Sequence, residues 1–450
     1  MKISKTILIT GLGLALSCLA ACHPTPGIPR EVEMKPKIEY KTPEEVNAHR
    51  DESNSSQIVT ERNPDGTYVQ LESKEEKEGR HGVEDAPDFT ASVELNLYRQ
   101  INKGNKGFVF SPYSILDCFS LLYPVADGES LEQMDEILGF ENKNEYFYRQ
   151  YDEMKDDAFN IANALYYNKD YEDNLDFSYF DTDVVQEFIS VDDINKFVAS
   201  RTNNKIPNLL NEEDISPDMA MVLVNALYLN KKFLYPYEKS TVSFNDIESP
   251  SFCGEGRLAD IKEIGKDIDL IRLPYASDGP GENQYALYIF SNRSDSKDAV
   301  SEYLDTVSGE ELSDILDFRD YEGLSGYGDA YLNIREFELN THMDITQLLL
   351  DMGLTAPFEN YTDFSKALIE PVDEKGNDYR FCADKVIHES YIKTDNSGTE
   401  AAAATALAMK TSSASMVTEP TKVVETHNPF TFILKDDDND TIIFMGRVVS

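Results

Sequence analysis

One stretch of small residues sets this 450-residue chain apart, and it reads Gly398-Thr399-Glu400-Ala401-Ala402-Ala403-Ala404-Thr405-Ala406-Leu407-Ala408-Met409-Lys410. Its intrinsic propensity favours a helix. It leads into Thr411-Ser412-Ser413-Ala414-Ser415-Met416-Val417-Thr418-Glu419-Pro420, which is small, polar and typical of an exposed, cleavable loop. A helix-forming run that ends in a protease-sensitive loop is unusual, so this segment is the first candidate for function.

The sequence around this segment predicts one large mixed domain of helices and strands. The run 220–229 is almost continuously apolar, as expected of a strand buried on both faces. Further strands are predicted over 285–290, 430–434 and 441–449, the last two joined by a polar hairpin turn. The segment 88–139 has apolar residues at helical spacing, with Ser114 as the expected N-cap of its second helix.

Seven sequence motifs occur in order over essentially the whole domain. They are the hinge-like Gly398–Thr405, Asn428-Pro429-Phe430 with Phe444-Met445-Gly446-Arg447-Val448, Phe110-Ser111-Pro112-Tyr113-Ser114-Ile115, Leu138-Gly139-Phe140, Ile194-Asn195-Lys196-Phe197-Val198 with Thr202-Asn203-Asn204-Lys205-Ile206, Asn225-Ala226-Leu227-Tyr228, and His388 after Lys385-Val386-Ile387. Together these motifs resemble those of the serpin family. The resemblance implies an α+β serpin fold with three β-sheets, eight or nine helices and an exposed reactive-centre loop. It also implies an inhibitor rather than an enzyme.

The implied mechanism is suicide inhibition, in which the cleaved loop inserts into a central sheet as a new strand and traps the acyl-linked protease. Alternate side chains of a strand face one side, so Thr399, Ala401, Ala403 and Thr405 are expected to become buried as the loop enters. Glu400, Ala402 and Ala404 would face the other side. Fifteen extended residues span roughly 50 Å, about the diameter of a 360-residue domain. Ser111, Ser114, Asn225 and His388 are expected to form the shutter that holds the sheet closed, although ordinary core hydrogen bonding would explain them equally well.

The position of the cleaved bond follows from the hinge. Counting fourteen positions from Gly398, as in typical serpins, places it at Ser412-Ser413. A trypsin-like pocket would prefer Lys410, and elastase-like or chymotrypsin-like pockets would accept Met409, Thr411 or Ala408. The expected partners are therefore serine proteases of trypsin-like, elastase-like or subtilisin-like type, with some cysteine proteases as further targets.

Three departures from the family pattern occur, and two of them affect the region where the loop would enter the sheet. The chain has no tryptophan, and Phe197 and Phe233 stand where serpins usually carry one. Asn396 stands where the hinge normally begins with glutamate, and the loop from Ser412 to Pro429 is longer than usual. The missing tryptophans and Asn396 leave the rate of insertion open, and the loop length leaves the exact cleaved bond open.

The N-terminal residues predict export and lipid attachment. Lys2 and Lys5 precede the apolar run 7–19, and Leu19-Ala20-Ala21-Cys22 resembles a bacterial lipobox. Residues 1–21 are thus expected to be a lipoprotein signal peptide, Cys22 the lipidated residue, 22–87 a flexible acidic stalk and 88–450 the serpin domain. The resemblance implies a bacterial envelope lipoprotein, at the outer membrane or cell surface in a Gram-negative host.

Composition and missing motifs exclude several function classes. The net charge is −42, from 41 Lys and Arg against 83 Asp and Glu, which disfavours binding to nucleic acid or heparin. Catalytic and phosphate-binding motifs are missing, and the scattered histidines and cysteines favour neither a metal site nor a cofactor. A monomer is expected. Two alternatives remain: a non-inhibitory protein on the serpin fold, and a surface lipoprotein that captures glycan or protein through aromatic residues.

Overall fold

The structure, a computed structural model, describes residues 60–62, 68–70, 89–104, 106–140, 159–179, 185–215, 220–256, 258–277, 284–294, 296–319, 330–370, 376, 381–399 and 422–449. The chain divides into two compact units, Met1–His81 and Gly82–Ser450. None of the helices within the described residues is long and apolar enough to cross a membrane.

The first unit contains a two-stranded antiparallel sheet of β1 (Thr60–Arg62) and β2 (Tyr68–Gln70). This hairpin lies in the segment predicted to be a flexible stalk, so that segment is not wholly without regular structure. The sequence Asn63-Pro64-Asp65-Gly66, which separates the two strands, is of a composition typical of turns.

The second unit contains eight α-helices and three larger sheets among its described residues. The helices are α1 (Phe89–Ile101), α2 (Pro112–Ser120), α3 (Gly128–Leu138), α4 (Val191–Arg201), α5 (Ala299–Leu304), α6 (Gly309–Leu316), α7 (Thr346–Asp351) and α8 (Ala356–Glu359). Short 3-10 helices lie at Tyr123–Val125, Lys169–Asn174, Phe177–Tyr179, Glu212–Asp214 and Tyr361–Ala367. Three sheets with eight helices confirm the predicted α+β fold.

The strands that follow in the chain are β3 (Phe108–Phe110), β4 (Phe159–Tyr167), β5 (Val185–Glu187), β6 (Met221–Leu229), β7 (Lys231–Lys232), β8 (Glu238–Phe244), β9 (Ile247–Gly256), β10 (Asp260–Ile264), β11 (Ile268–Pro274), β12 (Tyr285–Asn292), β13 (Ala330–Arg335), β14 (Phe337–Asp344), β15 (Lys385–Asp395), β16 (Gly398–Thr399), β17 (Lys422–Glu425), β18 (Phe430–Asp436) and β19 (Thr441–Val448). Six strands of the seven-stranded sheet follow the order β5-β4-β6-β15-β16-β7. The seventh strand, β14, lies off this path and pairs with β15. The six-stranded sheet runs β10-β11-β12-β18-β19-β3, and the four-stranded sheet runs β17-β13-β9-β8.

The predicted strands are confirmed. β6 is buried along its whole length, and β18 and β19 form the expected hairpin. The segment 88–139, expected to be helical, also contains the strand β3, because three consecutive buried residues are too few to reveal a strand pattern. The helix α2 begins at Pro112 with Ser111 as its N-cap, so the expectation that Ser114 caps it is wrong. Proline has a favourable φ for the first helical position, which sets the start three residues earlier.

Candidate functional site

The strand β16, which consists of the first two hinge residues, already lies within the seven-stranded sheet. Thr399 pairs with Thr394 of β15 on one side and with Lys231 of β7 on the other. Gly398 has a φ of +145°, and a Cβ at this position would overlap the Lys231 carbonyl oxygen. Glycine is therefore required where the chain turns back into the sheet.

Thr399 is buried in the intact protein, with a 1% exposed side chain. Its hydroxyl forms hydrogen bonds with the Tyr275 hydroxyl at 2.5 Å and with the Thr394 hydroxyl at 3.2 Å. The expectation that Thr399 becomes buried only as the loop enters is therefore wrong. Because Thr399 is part of the native core, substitutions there alter the intact fold and cannot report on insertion alone.

An aromatic cluster lies beside β16. Phe233 stacks on Tyr275 with ring centroids 5.2 Å apart and meets Tyr237 edge-on at 5.4 Å. The Phe233 amide also donates to the Ser397 carbonyl at 3.0 Å, and the Asn396 side chain donates to the Tyr237 carbonyl at 3.3 Å. The residues that depart from the family pattern here are thus packed and hydrogen-bonded in the closed sheet.

The seven-stranded sheet has one parallel junction in its centre, which we call the seam. It consists of six residue pairs between β6 (222–227) and β15 (385–390), from Lys385 opposite Val222 to Ser390 opposite Leu227. Beyond Ser390 the two strands diverge, and β16 lies next to β15 instead. The sheet is therefore already split at the end from which the hinge would advance.

A polar row crosses the seam. Asn163 of β4 lies opposite Asn225 of β6, which lies opposite His388 of β15, and all three side chains are buried. The His388 Nε2 atom accepts a hydrogen bond from the Ser111 amide at 3.1 Å and lies 2.9 Å from the Ser390 hydroxyl. Burial lowers the pKa of His388 to about 3, with a smaller contribution from the charge of His342, so the ring is neutral at physiological pH.

Several polar atoms of this row have no hydrogen-bond partner among the described residues. They are the Asn225 Nδ2 and Oδ1 atoms, the His388 Nδ1 atom, the Asn163 Oδ1 atom and the Ser114 hydroxyl. A buried polar group without a partner costs about 1 to 3 kcal/mol. The closed seam therefore contains a set of unfavourable polar atoms at the centre of the sheet.

The four predicted shutter residues Ser111, Ser114, Asn225 and His388 come together at the seam, where α2 begins beneath β15. The sequence reasoning missed Asn163 and Asp117, which extend the polar row towards β4 through a 2.7 Å hydrogen bond. Both residues could have been found from the sequence, because each is a polar residue within an otherwise apolar strand or helix.

The remaining predicted site residues lie outside the described residues: Glu400, Ala401, Ala402, Ala403, Ala404 and Thr405 of the hinge, Ala408, Met409, Lys410, Thr411, Ser412 and Ser413 near the expected bond, and the lipidation residue Cys22. Cys118, Cys253 and Cys382 are free thiols. Within the described ranges, no group of three or more His, Cys, Asp or Glu side chains is placed to hold a metal ion.

Comparison with known proteins identifies the family. Residues 89–450 match the description "Serpin (serine protease inhibitor)", so the chain belongs to the serpin family. Serine proteinase inhibitor 2 of Cowpox virus (strain Brighton Red) is 27% identical over 375 residues, which cover 79% of this chain and 99% of the viral protein.

Solved structures show the same fold. The native structure of the thermophilic serpin tengpin matches with a TM-score of 0.62 and 23% identity, over 80% of this chain and 93% of tengpin. AtSerpin1 of Arabidopsis, described as in its native stressed conformation, matches with a TM-score of 0.63 and 19% identity, over 81% and 97% of the two chains.

Proposed function

We propose that this chain is a suicide inhibitor of serine proteases, in which the cleaved loop inserts along the seam as a new strand. The observation that carries the proposal is the position of β16 between β7 and β15. A strand that continues from Thr399 in the same direction must run between β6 and β15. Membership of the serpin family supports the same function.

The register of β16 predicts where each inserted residue would lie. The pairing with β15 is antiparallel and starts from Thr399 opposite Thr394, so each later loop residue would lie opposite the preceding residue of β15. Thr405 would then lie opposite His388, and Ala408 opposite Lys385. On the other side, counting from the pairing with β7 places the same two residues opposite Asn225 and Val222. The two flanks agree, because His388 pairs with Asn225 and Lys385 with Val222 in the closed sheet.

Insertion would therefore place Thr405 between the buried side chains of Asn225 and His388. Side chains of directly opposite strand residues share one face, so the Thr405 hydroxyl would meet polar atoms that have no partner among the described residues. A hydroxyl both donates and accepts. Hydrogen bonds gained there, together with the new backbone ladder, would favour the inserted state over the closed one.

The direct test is covalent trapping. The domain without residues 1 to about 85, mixed with trypsin-like, elastase-like and subtilisin-like proteases, is expected to give a one-to-one complex that survives SDS. A matched sample with an inactivated protease serine should give none. If every protease yields only loop-cleaved chain, the inhibitory proposal fails, and a non-inhibitory binding role on the same fold takes its place.

The identity of the cleaved bond is tested at Lys410. We propose that the bond lies between Met409 and Ser413; the family spacing favours Ser412-Ser413, whereas a trypsin-like protease would cut after Lys410, and the following prediction applies to that bond. Lys410→Ala should weaken inhibition of trypsin-like proteases at least about tenfold and leave inhibition of elastase-like proteases unchanged. Only the specificity pocket of a trypsin-like protease binds a cationic side chain favourably. Association rates with one protease of each class measure this. Equal loss for both classes would place the bond elsewhere.

We further propose that the chain is an exported lipoprotein anchored through Cys22. The lipobox-like sequence supports this, and stable attachment needs more than one acyl chain. Cys22→Ser should move the protein from the membrane to the soluble fraction in a bacterial host that processes lipoproteins, while Cys18→Ser should leave it membrane-bound. Membrane recovery of the Cys22→Ser variant equal to that of wild type would contradict the anchor.

A further inference from the structure

Asp117 is a buried carboxyl group within α2, beneath the seven-stranded sheet. Its side chain is 3% exposed, and its Oδ2 atom accepts a hydrogen bond from the Asn163 Nδ2 atom at 2.7 Å. Burial raises the pKa of Asp117 to about 7, and the hydrogen bond from Asn163 opposes this rise. An acid with this environment changes charge in the physiological range.

The helix α2 is hydrogen-bonded to both sides of the seam. At its N-terminal end the Ser111 amide donates to His388 of β15, and in its second half Asp117 accepts from Asn163 of β4. A strand inserted between β6 and β15 would separate these two sides by about 4.8 Å, the spacing of neighbouring strands. A single helix cannot keep both hydrogen bonds across such a displacement.

The contacts of α2 indicate which hydrogen bond breaks. Ser111 directly follows β3, which pairs with β19 of the six-stranded sheet. The amide of Val109 in β3 also donates to the Thr341 hydroxyl of β14 at 2.9 Å. The N-terminal end of α2 is thus fixed to β14 and β15, so β4 is the strand that must move past α2, and the hydrogen bond between Asp117 and Asn163 must break.

We propose that Asp117 is a positioning residue that latches β4 to α2 while the sheet is closed, and that protonation of its carboxylate releases this latch. Its use in trapping a protease rests on the proposed function, whereas the latch itself is a property of the intact protein. A carboxylate accepts a stronger hydrogen bond than a neutral acid does. Losing that hydrogen bond inside the protein also costs more free energy for the carboxylate than for the neutral acid.

The direction of the pH effect follows from linkage. The hydrogen bond from Asn163 lowers the proton affinity of Asp117 in the closed sheet. While Asp117 stays buried beneath the open sheet, it lacks this hydrogen bond and binds the proton more tightly, so acidification through about pH 7 favours opening. The equilibrium between the folded and unfolded chain depends on pH in the other direction. Because burial raises the pKa of Asp117, its contribution to the free energy of unfolding is present at low pH and is lost as the pH rises through about 7.

Two titratable groups near Asp117 stay in one protonation state over this range. Cys118, next to Asp117, remains a thiol because burial, with a smaller effect of Asp117, raises its pKa well above the ordinary value. His388, across the seam, is neutral, since burial lowers its pKa to about 3. His342 of β14 pairs with Glu389 of β15, and both side chains lie on the face of the sheet opposite to that of His388. From β19, Arg447 is bound to Asp298 and Asn102.

Amide hydrogen exchange of the intact full-length chain tests the latch without any protease. After correction for the intrinsic pH dependence, those amides of residues 222–227 and 385–390 that donate across the seam report how often it opens. In wild type the open population is expected to be several-fold higher at pH 6 than at pH 8.5, approaching the factor of about ten that corresponds to one pKa unit. In Asp117→Asn it should be the same at both pH values.

Two further variants make the test specific. Asn163→Leu keeps the carboxyl but removes its hydrogen-bond donor, so the pH dependence should again disappear, which gives a second result should Asp117→Asn fail to fold. Asp436→Asn removes another buried acid, the last residue of β18, whose pKa burial raises to about 6. This variant should keep the wild-type pH dependence.

A wild-type seam that opens equally at pH 6 and 8.5 would overturn the latch, as would a pH dependence that persists in both Asp117→Asn and Asn163→Leu. Covalent trapping of a protease is measured separately. A chain that traps a protease and has no pH-dependent opening rejects the latch alone. A chain whose seam opens as described and that only has its loop cleaved rejects the inhibitory proposal alone.

Discussion

Replacing Ala403 with arginine is expected to convert the inhibitor into a substrate, with at least about a hundredfold loss in the yield of covalent complex per cleaved loop. In the inserted register Ala403 would lie between Ser390 and Leu227, both fully buried. Burying an arginine without a partner costs several kcal/mol. Insertion would stall there, and the acyl bond would hydrolyse before the protease is displaced. The ratio of complex to cleaved chain on a denaturing gel measures this outcome.

The matched control is Glu400→Arg, because the register turns residue 400 to the other face, between Lys393 and the exposed Asn230. The Lys393 side chain is 44% exposed, so an arginine beside it would remain solvated. This variant should inhibit within a few-fold of wild type. Equal inhibition by the Ala403→Arg and wild-type proteins would mean that the loop does not enter the sheet along the seam.

Cleavage of the loop is expected to raise the melting temperature of the wild-type protein by about 20 °C or more. Insertion from Glu400 to Ala408 adds nine strand residues with neighbours on both sides. At about 1 kcal/mol per net hydrogen bond, this ladder contributes on the order of 10 kcal/mol. A large domain gains about 2 °C per kcal/mol. The intact state would therefore persist for kinetic reasons.

Differential scanning calorimetry before and after cleavage of the isolated domain measures this shift. Ala403→Arg, cleaved at the same bond, should gain less than half of the wild-type increase, because its loop stops partway along the seam. An unchanged melting temperature of cleaved wild type would contradict a metastable intact fold. Such a result would favour a binding role for the loop.

Much of the fold could be predicted from the sequence because buried strands have a strong local signature. The unbroken apolar run of β6 and the polar turn between β18 and β19 each specify their structure over a few residues. Strand β3 escaped prediction since its three residues become a strand only by pairing with β19. Pairing between distant segments leaves no periodic pattern in so short a stretch.

The candidate site was predictable where motifs identify it and not where burial decides its chemistry. His388 and Asn225 were found by resemblance, and the register places them directly opposite each other. Asp117 was missed because its raised pKa arises from tertiary burial, which the hydrogen bond from Asn163 only partly offsets. Thr399 was assigned to the correct alternating set, but its burial in the intact protein depends on the pairing of β16 with β7 and β15.

The most direct test of insertion along the seam is a crystal structure of the loop-cleaved domain. In the intact protein Asn225 and His388 are directly paired on neighbouring strands, which lie about 4.8 Å apart. Insertion predicts that these strands separate to about 10 Å, two strand spacings, with Thr405 between the two side chains. A cleaved structure in which Asn225 and His388 remain paired would contradict it.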